Sequence, residues 1–208
     1  MKYEENIKDL GTLLPDFMGF IFYKKSPRFV KESLSVSVLQ NLPNSIKKVG
    51  VFVNEELETV LEKVSKYQLN LVQLHGNESV EFCAKIQQKY IPIIKAFQVD
   101  ESFDFNTLSP YKTYVDYFLF DTKSKHYGGS GKKFNWELLQ NYDNDIPIFL
   151  SGGISIEDIS ELKKNTILKK LNIAAIDVNS KFETAAAIKD ILLISAFKKQ
   201  LQNELQSR

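Results

Sequence analysis

The chain has 208 residues, enough for one well-cored domain, and no linker-like stretch divides it, so residues 1–208 are read as a single domain. Lys and Arg number 27 against 26 Asp and Glu, and with a net charge of +1 nothing argues for nucleic acid or an anionic membrane surface as a general partner; any positive site is local. The single cysteine, Cys83, excludes an intramolecular disulfide framework, no run reaches the roughly 20 apolar residues of a membrane span, and the N-terminus lacks a signal-peptide pattern, which together point to the cytoplasm.

The chain opens on a helical spacing of apolar residues, Ile7, Leu10, Leu13 and Leu14, ahead of the strand-like run "FMGFIFY" from Phe17 to Tyr23. A helix thus precedes the first visible strand. Further strand-length runs follow: "KKVGVFV" from 47, "LNLVQLH" from 69, "IPIIKAF" from 91, "VDYFLFD" from 115, "IPIFLSG" from 146 and "NIAAIDV" from 172. Several are almost continuously apolar, the pattern of strands covered on both faces, and this predicts a parallel sheet. Between them lie amphipathic segments such as "EELETVLEKVSKY" and "NESVEFCAKIQQKY", and "AAAIKDILLISAFKKQLQNEL" is read as the longest helix. The alternation defines an α/β chain, and its spacing suits either a closed (βα) barrel or an open doubly wound sheet.

Polar residues gather where the runs end. Lys24, Ser26 and Arg28 follow the first, Asn54 the second, and Gln73 and His75 lie at the third, while Lys95, Asp121, Ser151 and Asp177 mark later ones. One rim collects the chemistry, as the C-terminal face of a (βα) barrel does.

The most informative stretch is "FDTKSKHYGGSGKKFNW", residues 120–136, where a strand ends in Asp121 and runs into a glycine-rich loop. Glycines that accept positive φ let successive backbone N–H groups point at an anion. Gly129, Ser130 and Gly131 offer such a loop, Gly152 and Gly153 follow the next strand, and Asn179 and Ser180 follow the last. One loop alone could be a lid or a tight turn; three on consecutive late strands suggest a phosphate cup, hence a small phosphorylated substrate. In barrels that cup often lies after the seventh and eighth strands, so the count implies one strand missing at the front.

Over essentially its whole length the chain resembles the phosphoribosylanthranilate isomerase family of tryptophan biosynthesis. The resemblance rests on "GFIFYKKSPRFV", "VGVFVNE", "VQLHGNES", "FDTKSKHYGGSGKKFNW" and "FLSGGI", in the family's order and spacing. It implies a (βα)8 TIM-barrel fold and an Amadori rearrangement of an aminoaldose phosphate to an aminoketose. Asp121 then matches the general acid that protonates the furanose ring oxygen, and Arg28 the arginine that meets the anthranilate carboxylate. Gly129 to Gly131, Gly152, Gly153, Asn179 and Ser180 match the phosphate-binding segments, with His75 and Asp177 lining the same rim. Such a reaction needs one acid and one base, with no cofactor and no metal. A monomer or weak homodimer is expected.

The family's base is a cysteine at the end of the first strand, in a "KICG" context, and Met1 and Lys2 align with the tail of that motif. The expectation is therefore a barrel whose first β-strand is missing from this chain, with little activity in its absence. Cys83 lies mid-helix beside Val80 and Ala84 on an apolar face, the place of an inert thiol. In "NSKFETAAAIKD", Lys181, Ala186 and Ala187 stand where the family more often has glycine or proline. His126 is read as a surface loop residue and Trp136 as packing. The competing readings are a phospho-ligand-binding barrel without turnover and another phosphosugar barrel enzyme; "SPRF" and "QLHG" argue against the latter.

Overall fold

All seven apolar runs become strands of one parallel sheet, hydrogen-bonded in chain order. The computed structural model describes residues 1–31, 34–122, 135–143 and 146–203. Helix α1 (Glu4–Thr12) leads into β1 (Phe17–Ile21), then α2 (Val36–Gln40), β2 (Lys47–Phe52), α3 (Leu57–Tyr67), β3 (Leu71–Leu74), α4 (Val80–Gln87) and β4 (Ile93–Val99). Strands β5 (Tyr117–Thr122) and β6 (Ile148–Leu150) follow, then α5 (Ile159–Lys164), β7 (Ile173–Ile176), the hairpin strands β8 (Glu183–Ala185) and β9 (Ile188–Lys189), and α6 (Ile191–Asn203).

Side chains alternate across each strand. Val49, Leu71, Ile94, Ala96, Leu119 and Phe149 form a small inner core. Their neighbours Phe52, Val72, Ile93, Phe118, Phe120 and Ile148 belong to the larger outer core, which the helices cover. The rings of Phe17 on β1 and Phe149 on β6 meet at 4.8 Å, although β6 is not a hydrogen-bonded neighbour of β1. The sheet must curl on itself to bring them together, and its concave face encloses the inner core.

Among the described residues β1 and β7 do not pair with each other, so a seam runs between them. The outer edge of β1 is partly occupied: the nitrogen of Met1 donates to the Gly19 carbonyl at 2.9 Å and that of Val30 to the Ile21 carbonyl at 2.7 Å.

The segment after β4 forms a 3-10 helix, Phe105–Tyr111, with Pro110 inside it, and Trp136–Asn141 is likewise 3-10, with Trp136 buried as packing. The structure corrects two readings of the sequence. Residues 185–189, read as the start of the longest helix, instead end β8 and form the turn and second strand of the β8–β9 hairpin, and the helix begins at Ile191. Ala187 takes φ 68°, and Asn6 of α1 brackets Lys189, its Nδ2 donating to the Lys189 carbonyl at 2.9 Å while Oδ1 accepts from the Lys189 amide at 2.7 Å. That tertiary bracket overrides the helical preference of the alanines. Lys95 does not join the chemistry of the rim: it shares the outer face with Ile93 and Phe97, and its Nζ donates to Glu78 Oε2 at 3.0 Å and to the Gly76 carbonyl at 2.8 Å. No helix among the described residues is long and apolar enough to cross a membrane.

Candidate active site

The inner positions that end the strands are polar. Gln73 on β3, His75 just beyond it, Asp121 on β5, Ser151 beyond β6 and Asp177 beyond β7 all line a cavity of about 430 Å³ on the concave side of the sheet. Backbone pairing extends past the strands to hold them there: the amides of His75, Ser151 and Asp177 donate to Phe52, Phe120 and Leu150 at 2.8, 3.0 and 2.8 Å.

His75 sits between two partners. Its Nδ1 lies 2.7 Å from Gln73 Nε2, and its Nε2 faces Asp121 Oδ2 at 3.6 Å. The other Asp121 oxygen accepts from the Thr122 amide at 2.8 Å. The loop that follows His75 is fixed from outside: Glu78 accepts from the Gly76 and Asn54 amides and pairs with Lys95. Gly76 admits no side chain, because a Cβ there would stand 2.4 Å from Asn54 Oδ1.

Across the cavity, Ser151 Oγ donates to Asp177 Oδ2 at 3.0 Å. Burial pushes the Asp177 carboxyl above the usual carboxylate range, against the Ser151 hydrogen bond and the charge of Lys189. Gly152 and Gly153 follow with φ 96° and 66°, values that favour glycine, and both line the same cavity. Asn179 and Ser180 complete that wall.

Arg28 reaches the cavity from the loop after β1, and its guanidinium is already engaged. Nε donates to both oxygens of Glu183 at 2.9 Å, and Nη2 to Oε2 at 2.6 Å. Lys189 Nζ joins the same carboxylate at 3.2 Å and donates to the side chain and carbonyl of Asn179 at 2.7 and 3.0 Å. Burial pushes the Lys189 ammonium down, opposed by Glu183.

Of the residues singled out in the sequence, Asp121, Arg28, His75 and Asp177 converge on this one cavity, as do Gly152, Gly153, Asn179 and Ser180. Gly129, Ser130 and Gly131 lie outside the described residues, as does His126. Glu183 and Lys189 were missed. Glu183 is defined by Arg28, which lies 155 positions away, and Lys189 by a hairpin that folds it back on Glu183 and Asn179; nothing in the local sequence signals either.

A parallel βα sheet that curls around a cavity, with titratable side chains at the C-terminal ends of its strands, is the framework of a (βα)-barrel enzyme. The family model described as N-(5'phosphoribosyl)anthranilate (PRA) isomerase matches residues 4–200. An N-(5'-phosphoribosyl)anthranilate isomerase of Parabacteroides distasonis is 41% identical over 202 residues, covering 97% of this chain and 90% of the relative. The crystal structure of phosphoribosyl anthranilate isomerase from Thermotoga maritima superposes with a TM-score of 0.85 at 35% identity, over 98% of this chain and 96% of that one. A second isomerase structure, in complex with reduced 1-(o-carboxyphenylamino)-1-deoxyribulose 5-phosphate, matches with a TM-score of 0.81 at 31% identity, over 98% and 95%. The chain belongs to the phosphoribosylanthranilate isomerase family, enzymes of tryptophan biosynthesis.

Proposed function

We propose that the rim cavity binds N-(5-phosphoribosyl)anthranilate, with Asp121 as the general acid of its isomerisation. The observation that carries this reading is the convergence of Asp121, His75, Asp177 and Arg28 on one cavity that the two positive-φ glycines also line. The proton of Asp121 goes to the furanose ring oxygen as the C1–O bond breaks, leaving a Schiff base between C1 and the anthranilate nitrogen. Removal of the C2 proton then gives an enolamine, and protonation at C1 with loss of the C2 hydroxyl proton gives the aminoketose. Each proton transfer needs a side chain within hydrogen-bond reach of the sugar.

Substrate anions have separate partners in this reading. The phosphate meets the backbone of Gly152, Gly153, Asn179 and Ser180, together with the loop at Gly129 to Gly131. Among the described residues Arg28 Nη1 makes no hydrogen bond, and it is the nitrogen assigned to the anthranilate carboxylate. His75 and Asp177 line the sugar.

For the base, the resemblance points to a cysteine on a strand that would pair in the seam between β7 and β1. Cys83 does not supply it. The thiol is buried in α4, and desolvation pushes it up to about 11.

Calorimetric titration with the reduced product analogue tests the site without requiring turnover. Binding is expected in the chain and in Asp121→Asn, and weaker binding in Arg28→Gln. No binding by the folded parent chain would refute the assignment.

A further inference from the structure

We propose that Gln73 is a positioning residue that fixes the tautomer of His75, keeping the imidazole proton on Nε2 and aimed at Asp121. Its catalytic consequence rests on the reading of Asp121 as the acid; the tautomer itself does not.

Gln73 and His75 are two residues apart and share the inner face of β3 and its extension, so their side chains stand next to each other over the cavity. Gln73 is a buried polar residue, and its side-chain nitrogen lies 2.7 Å from His75 Nδ1. A carboxamide nitrogen can donate but not accept, so Nδ1 is the acceptor, and a neutral imidazole with an accepting Nδ1 carries its proton on Nε2. That nitrogen faces Asp121 Oδ2 at 3.6 Å. The ring has little freedom to turn away, because the His75 amide bonds to the Phe52 carbonyl at 2.8 Å and the side chain is 12% exposed.

The Nε2–H tautomer points a hydrogen-bond donor from the ring toward the Asp121 carboxyl. The other charged groups acting on this corner are Asp177 beyond β7, which feels both His75 and Asp121, and Lys189 on β9, which acts on Asp177. Neither touches Nδ1, and Gln73 holds that position.

The test is ¹⁵N NMR of the histidine-labelled 208-residue chain, whose two histidines are told apart with a His126→Gln variant. The wild type is expected to show His75 as the Nε2–H tautomer at neutral pH. In Gln73→Glu, an acceptor faces Nδ1, and the signal should move to the Nδ1-protonated form. In Gln73→Met the donor is gone, and the two tautomers should average. A merely structural role for Gln73 would move the melting temperature but not the tautomer. An Nδ1–H tautomer in the wild type overturns the proposal, as does an unchanged Nε2–H signal in the folded variants. The wild-type spectrum decides alone if a variant does not fold. Failure here leaves the role of Asp121 intact, since that role is read separately from turnover by Asp121→Asn.

Discussion

Arg28 and Glu183, 155 positions apart in sequence, close a two-pronged ion pair at 2.6 to 2.9 Å over the open seam of the sheet. Arg28 follows β1 and Glu183 begins the hairpin after β7, so the pair joins the two strands that do not hydrogen-bond to each other. Lys189 reinforces it from β9. The seam is therefore held at its rim by charge rather than by a backbone ladder.

That arrangement has a pH signature. Burial alone would raise the Glu183 carboxyl, but Arg28 and Lys189 outweigh it and hold it below the usual carboxylate range. A depressed folded-state value contributes stability that is present above the unfolded value of about 4.3 and is lost as pH falls through the folded value. Glu183→Gln is expected to melt lower than the parent at pH 7, and the difference should shrink on acidification below about pH 4. Thermal unfolding across pH 3 to 7, on the order of the carboxylate range, checks it; a constant difference would count against the pair.

Asp177 carries the opposite sign. Its folded-state value is raised by burial, so its ionised form at neutral pH costs stability, and the cost fades as pH falls toward the unfolded value of about 3.9. Asp177→Asn keeps an oxygen that can accept from Ser151. The variant should melt higher than the parent at pH 7 and lose that advantage near pH 4, again on the scale of the carboxylate range. A lower melting temperature at pH 7 would show that Asp177 is held there by more than its hydrogen bond.

Lys95 and Glu78 form a buried pair whose side chains are each 2% exposed. Removing one partner of such a pair leaves an uncompensated charge, at a cost of about 3 to 5 kcal/mol. Lys95→Met should therefore destabilise the chain by that order and loosen the loop that carries His75. Lys95→Met combined with Glu78→Gln should recover part of the loss in chemical denaturation. Additive losses would mean that the two residues act independently.

Much of this was legible in the sequence, and the rest was not, for identifiable reasons. Asp121, Ser151 and Asp177 stand out because each is a polar residue closing an apolar strand, and strand parity then places all of them on the inner face. Lys95 broke that rule. The run "IPIIKAF" is apolar on both faces, and only its pairing with Glu78 reveals which way the lysine points. The alanines at 185–187 carry a local helical preference, and the Asn6 bracket that defeats it lies 183 positions from Lys189. Glu183 is the same case: the partner that defines it belongs to a loop at the other end of the chain.

The most direct measurement is turnover of freshly made N-(5-phosphoribosyl)anthranilate. The protein should be compared with its Asp121→Asn variant, with the reduced product analogue as the binding control. The account predicts that Asp121→Asn loses turnover by about 10² to 10⁴ while still binding the analogue. Undiminished turnover in the folded Asp121→Asn variant would contradict the assignment of the acid.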